Sequence, residues 1–205
     1  MFFLIKMEYR DGIKIYDPNK TSKNILFSRI MHNSEEISIQ LPKNKIILNK
    51  EKNRSQLILP DDILNLINDL DNTIIEITSE NSEKWFNKKL NVSECKSIYK
   101  NNIKDNTLCC FFDETTVFYK SKKEMFNIED IQEEIYGIAL IKCDVIVFAK
   151  SYFYTRWVIS QIKIKETKET EETEELLFTE YSIIDLPEHE IDEKYIKKLE
   201  EITLF

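Results

Sequence analysis

Apolar and polar residues alternate along Ile37-Ser38-Ile39-Gln40-Leu41, a period of two that predicts a strand with one buried face. Shorter β-rich runs precede it at residues 13–16, closed by the turn pair Asp17-Pro18, and at residues 24–30. The period changes after Pro60, where Ile63, Leu66, Ile67, Leu70, Ile74 and Ile77 recur at spacings of three and four. That is one apolar stripe of a helix, predicted over residues 60–79. Pro60 suits a first turn, and Asp61 and Asp62 sit favourably near the positive end of the helix. A short second helix is expected at residues 93–99, capped by Ser93. Strand character returns at 108–112 and 115–119, joined at Asp113-Glu114 like a hairpin. Two long β-rich runs follow, 135–148 and 152–164, meeting at Ala149-Lys150-Ser151. Gly137, Ala139, Ile141, Cys143, Val145 and Val147 form a face of small residues that suits the crowded interior of a curved sheet. Strands, then helices, then strands predict a mainly β (α+β) fold, a β-barrel with a helical insertion.

Charge divides the chain. The total is −8, but residues 166–205 hold 14 acidic and 4 basic side chains, a net of −10, so residues 1–165 stand at +2. The expected organisation is a binding domain over 1–165 and an acidic tail over 166–205. The Lys/Glu/Thr run that opens the tail is too polar to pack. No apolar run approaches the ~18 residues of a membrane span, and Lys6 and Glu8 interrupt the apolar start too early for a signal peptide. A soluble, intracellular protein is expected, without membrane contact. The four cysteines lack any CxxC spacing and read as free thiols, with Cys109 and Cys110 on opposite faces of a strand.

The candidate chemistry is binding, not catalysis. His32 and His189 read as surface residues with no Cys–His or Ser–His–Asp partners, and two glycines cannot build a phosphate loop. Asp61 and Asp62 are helix-end charges, and Asp69 and Asp71 fall on different helix faces. No catalytic residue, metal or cofactor is expected, and the chain reads as not an enzyme. Single-stranded nucleic acid requires cations along phosphates and aromatic faces for bases, with stacking contributing ~1–3 kcal/mol per base. Two segments supply both: Trp85-Phe86-Asn87-Lys88-Lys89-Leu90 with Tyr99-Lys100, and residues 150–157 with Lys163. On an extended strand Tyr152, Tyr154 and Arg156 point one way and Phe153, Trp157 and Ile159 the other. Trp85, Phe153 and Trp157 are assigned to the core. The predicted interface is a phosphate lane of Lys88, Lys89, Lys100, Arg156 and Lys163, with bases on Tyr152 and Tyr154.

Three segments in order resemble a known family. Ile37-Ser38-Ile39-Gln40-Leu41-Pro42-Lys43 looks like its strand ending in Gln-x-Pro. Asp69-Leu70-Asp71 through Asn81-Ser82-Glu83-Lys84-Trp85-Phe86-Asn87-Lys88-Lys89-Leu90 looks like its helix followed by Trp-Phe-Gly-Lys-Lys-Leu. Ile146-Val147-Phe148 through Phe153, Trp157 and Gln161-Ile162-Lys163 looks like its last hairpin. The family is the single-stranded DNA-binding proteins of large nucleocytoplasmic DNA viruses, which are similar to podophage proteins of the same function. The resemblance covers roughly residues 24–165. It implies an OB-fold barrel, sequence-tolerant binding of single-stranded DNA, and a role in viral DNA replication in the host cytoplasm or virion. It also implies that an acidic tail, here ending at Phe205, engages a polymerase or helicase and competes with DNA for the groove. A homodimer is compatible with this picture. The chain departs from the pattern at Asn87, which replaces a glycine, and lacks glycines around 150–155. The competing expectation is a virion or assembly module whose aromatic hairpin packs against protein.

Overall fold

The computed structural model describes residues 12–20, 26–121 and 124–165. The acidic tail, Phe205 and His189 lie outside the described residues, so the 1–165 and 166–205 division remains an expectation.

Among the described residues twelve strands form one sheet. In chain order they are β1 (Ile13–Ile15), β2 (Asn19–Lys20), β3 (Leu26–His32), β4 (Ile37–Gln40), β5 (Asn44–Asn49) and β6 (Arg54–Ile58), then helices α1 (Asp61–Phe86) and α2 (Val92–Ile98). After them come β7 (Ile103–Lys104), β8 (Thr107–Phe111), β9 (Val117–Ser121), β10 (Glu124–Phe126), β11 (Glu134–Phe148) and β12 (Phe153–Ile164). Five of these strands close on themselves: β5 pairs β6, β6 pairs β8, β8 pairs β12, β12 pairs β11, and β11 returns to β5. All these pairs are antiparallel except β8 with β12. Numbered one to five along the chain, the circuit runs 1-2-3-5-4-1, an OB-fold-like barrel with the two helices inserted between its second and third strands.

Alternation builds the barrel wall. Ile46 and Leu48 of β5, Ser55 and Leu57 of β6, and Leu108 and Cys110 of β8 are buried, while the residues between them face outward. β5 and β6 turn tightly because Asn49 caps one 3₁₀ turn at Lys50–Lys52 and Asn53 takes a left-handed conformation at φ 50°. On β11, Gly137 passes between β5 and β12 so closely that a Cβ there would stand 2.5 Å from the Lys163 carbonyl oxygen. Beyond the barrel β11 runs on, pairing β4 and then β3 along one edge and β12 along the other.

Sequence and structure part at several points. α1 does not stop at residue 79. Thr78 and Ser82 continue its buried face, and Ser82 both accepts the Leu90 N–H and donates to the Ser79 carbonyl, folding the following chain back on the helix. Asn87 ends it in a left-handed conformation at φ 53°, which asparagine tolerates where a glycine would be the usual choice. The cap of α2 is Asn91, in a reciprocal pair with Glu94, not Ser93. Residues 108–121 are not a hairpin: β8 and β9 both run parallel to β12, at Val158 and at 161–163. The Asp113 side chain, accepting from Thr115, makes a jog rather than a reversal. The small-residue face of β11 also switches sides. A bulge between Cys143 and Val145 turns Ile146 and Phe148 inward and Val145 and Val147 outward. His32 is buried rather than on the surface, and that burial lowers its pKa.

Candidate nucleic-acid interface

The β11–β12 hairpin closes through residues 149–152, with the Ala149 N–H donating to the Tyr152 carbonyl at 2.8 Å and Lys150 and Ser151 exposed. From there β12 alternates strictly. Phe153, Thr155, Trp157 and Ile159 are buried, and Tyr154, Arg156 and Val158 face outward. Tyr152 is 40% exposed, and its ring stacks on that of Tyr154 with centroids 6.1 Å apart and planes 29° from parallel. Lys100 joins them. Its backbone N–H donates to the Phe153 carbonyl at 2.8 Å, and its Nζ stands 5.3 Å from the Tyr152 ring centre. The end of α1 reaches the same place, because Trp85 and Phe86 pack on Phe148 with ring centres 5.7 and 5.4 Å away. Lys88 and Lys89 follow at once and are exposed. Among the described residues no carboxylate pairs with Lys88, Lys89, Lys100 or Lys150. Tyr152, Tyr154, Lys88, Lys89 and Lys100 therefore share one end of the molecule.

The other two predicted cations do not join that end in the same way. Arg156 faces outward beside Tyr154, but its Nε donates to both Asp144 carboxylate oxygens at 3.0 and 3.1 Å and its guanidinium forms a salt bridge to the same group. Asp144 is the residue that the β11 bulge inserts opposite Arg156. The hydrogen bond to Asp144 raises the Arg156 pKa above its usual value, with Asp113 adding to the effect. The charge of Arg156 is already answered. Lys163 is half-buried at the far end of β12, opposite Ile138 and Tyr119. Eleven residues of strand, ~36 Å, separate it from Tyr152. A single lane through all five predicted cations is not what these positions form.

One feature escaped the sequence reading. Val158 lies opposite Phe111 on β8, and Phe111 lies opposite Arg54 on β6, so the outward row of β12 continues onto the barrel face. There the Arg54 guanidinium lies 3.4 Å from the Phe111 ring centre, a cation stacked on an aromatic face. The alternation Arg54-x-Gln56-x-Ile58 was the available signal, but which strand stood beside it was not. The same wall exposes Ile47, Ile58 and Tyr136, the last beside the Lys45–Glu134 pair at 2.7 Å. All four cysteines are free thiols. Among the described residues no cluster of His, Cys, Asp and Glu has the makings of a metal site, and no helix is long and apolar enough to cross a membrane.

A family model described as "Family of unknown function (DUF5871)" matches residues 44–180, a span that opens at the first strand of the closed barrel. No curated protein matches the sequence. Among solved structures, the chain is similar to a single-stranded DNA-binding protein from bacteriophage Enc34 in a C-terminally truncated form, at 15% identity and a TM-score of 0.43, covering 76% of this chain and 95% of that one. The same phage protein in complex with single-stranded DNA aligns at 14% identity and a TM-score of 0.41, covering 75% of this chain and 96% of that one.

Proposed function

The chain belongs to the DUF5871 family, a family of unknown function, and we propose that it binds single-stranded DNA at the tip of the β11–β12 hairpin without catalysing a reaction. The observation that carries this is the stacked, outward-facing pair Tyr152 and Tyr154 with Lys100 against it. Flat ring faces accept unpaired bases of any sequence, whereas a duplex offers only base edges and phosphates. Lys100 stands against the Tyr152 ring, and exposed Lys88, Lys89 and Lys150 at the same end supply further positive charge for the backbone. In OB-folds the loop between the fourth and fifth strands and the face of the second and third strands take oligonucleotides, a fold-level analogy. Here those are residues 149–152 and the β6–β8 wall carrying Arg54 on Phe111. The finer setting, replication of a large DNA virus with the tail recruiting a polymerase or helicase, rests on the sequence resemblance and the −10 charge of residues 166–205.

Fluorescence anisotropy with oligo(dT) tests the reading. Four tip lysines releasing counterions predict that log K falls with log salt at a slope of about −3. Duplex should compete poorly, and an RNA competitor reports the sugar preference. Binding that is absent, indifferent to salt or stronger for duplex overturns the proposal. Deleting residues 166–205 should tighten binding, and a weaker truncated chain would remove the competing role of the tail.

A further inference from the structure

Behind the tip lies a buried polar cluster that the binding surface does not itself use. Asp71, on the inner face of α1, is 5% exposed. Its carboxylate accepts from the Thr155 hydroxyl at 3.4 Å, and the Tyr99 hydroxyl hydrogen-bonds that same Thr155 oxygen. Those two hydroxyl oxygens lie 3.0 Å apart. Asn102 donates its side-chain amide to the Thr155 carbonyl oxygen and reaches Thr155 Oγ1 at 3.4 Å. Three elements meet here: α1 through Asp71, the segment after α2 through Tyr99 and Asn102, and β12 through Thr155. Lys100 stands between the two residues of that segment.

We propose that the Asp71–Tyr99–Thr155 cluster is a positioning device that clamps residues 99–102 onto β12 and thereby holds Lys100 against Tyr152. The proposal rests on the single-strand reading above. Asp71 and Tyr99 act through Lys100 and touch no ligand. Among the described residues no cation pairs with Asp71, and Cys143, which faces it from β11, is a buried thiol with a raised pKa. Burial pushes the Asp71 pKa up to about 6, against the opposing hydrogen bonding of the neighbouring hydroxyls. An apolar residue would cover β12 without that penalty, and buried polar groups are often replaceable by apolar ones at no loss of stability. What the carboxylate adds is direction. It takes the Thr155 hydrogen, which leaves Thr155 Oγ1 to accept from Tyr99, so the Tyr99 ring, edge-on to Phe153 at 5.2 Å, is held at one height along the strand.

Tyr99→Phe keeps that ring and removes only the hydroxyl; Asp71→Asn keeps the shape and removes the charge. Hydrogen exchange at the Lys100 amide reads the clamp with no ligand present and should be about tenfold faster in both variants. Oligo(dT) affinity reads the consequence: a loss of about fivefold for each change, with no further loss when either is made in a Lys100→Ala background. Exchange at the wild-type rate overturns the clamp whatever the DNA result. Faster exchange with unchanged affinity, or a loss that persists in full without Lys100, overturns the link to the tip. Should the unaltered chain fail to bind oligo(dT), the single-strand reading falls, and the exchange result alone decides the clamp.

Discussion

The tip of the β11–β12 hairpin and its middle lie on one outward face, yet they offer a ligand different charge. At the tip, Lys100 lies beside Tyr152, and Lys88, Lys89 and Lys150 have no carboxylate partner among the described residues. Two residues beyond Tyr154, Arg156 is gripped by Asp144 and felt by Asp113. The difference comes from one inserted residue, because the bulge that carries Asp144 aims its carboxylate at the strand opposite. A cation in a sequence motif is only a candidate for a phosphate. Its neighbours decide whether its charge is available.

The hardest test of that contrast is to strip the tip of its rings. Tyr152→Ala with Tyr154→Ala removes stacking of ~1–3 kcal/mol per base, so oligo(dT) affinity should fall on the order of 100-fold. Phenylalanine at both positions should retain most of it. Arg156→Ala, measured in the same anisotropy titration, should cost far less. Equal losses for the two would erase the distinction between tip and middle.

The two regions are also anchored differently, the middle by a half-exposed ion pair and the tip by a buried acid. The folded chain holds the Asp71 proton up to about pH 6, against 3.8 for an ordinary aspartate. The stability this contributes is complete below about pH 3.8 and is lost as pH rises through about 6, a swing of up to about 3 kcal/mol. Asp71→Asn removes that dependence. Melting curves of the variant and the original chain should nearly coincide at pH 4 and separate at pH 8, with the variant the more stable. A variant less stable at pH 8 would mean that the charged cluster holds the fold and not merely the tip.

These contrasts show what one sequence reveals. The period-two run of β4 and the three-and-four spacing of α1 were legible because burial repeats locally. So were the opposed directions of Tyr152 and Tyr154 against Phe153 and Trp157. The bulge was not, because residues 135–148 are apolar enough on both faces that a one-residue slip leaves no mark. The pairing of Arg156 went unseen with it. The jog after β8 looked like a hairpin because a side-chain turn at Asp113 has the same local chemistry in both. The closed circuit needs β5 against β11, a contact about ninety residues apart that no local pattern encodes. Asp71 falls on the buried stripe between Ile67 and Ile75, so its burial was readable in principle, but its partners Tyr99 and Thr155 were not.

If the inserted carboxylate is what separates the middle from the tip, removing its charge should make the two alike. Asp144→Asn frees the Arg156 guanidinium while keeping its outward direction. Affinity for a long oligo(dT) should rise about threefold, and the salt slope should steepen by about 0.7, the share of one added phosphate contact on a single strand. An unchanged slope would mean that the strand leaves the β12 face before reaching residue 156.

The smallest expected effect is the most exacting for the lane imagined from sequence alone. Lys163 lies ~36 Å from Tyr152 along β12, and its neighbours are Ile138 and Tyr119 rather than any residue of the tip. An oligomer of about four nucleotides, the short end of the range for one OB-fold, should be held by the tip and should not register Lys163→Ala beyond about twofold. The same oligomer should weaken severalfold with Lys100→Ala. A matching loss from both substitutions would put Lys163 and Lys100 on one short ligand, which an extended β12 does not permit. A loss for Lys163→Ala that appears only with longer oligomers would instead extend the track down the strand, past Arg156, leaving the tip as its strongest segment.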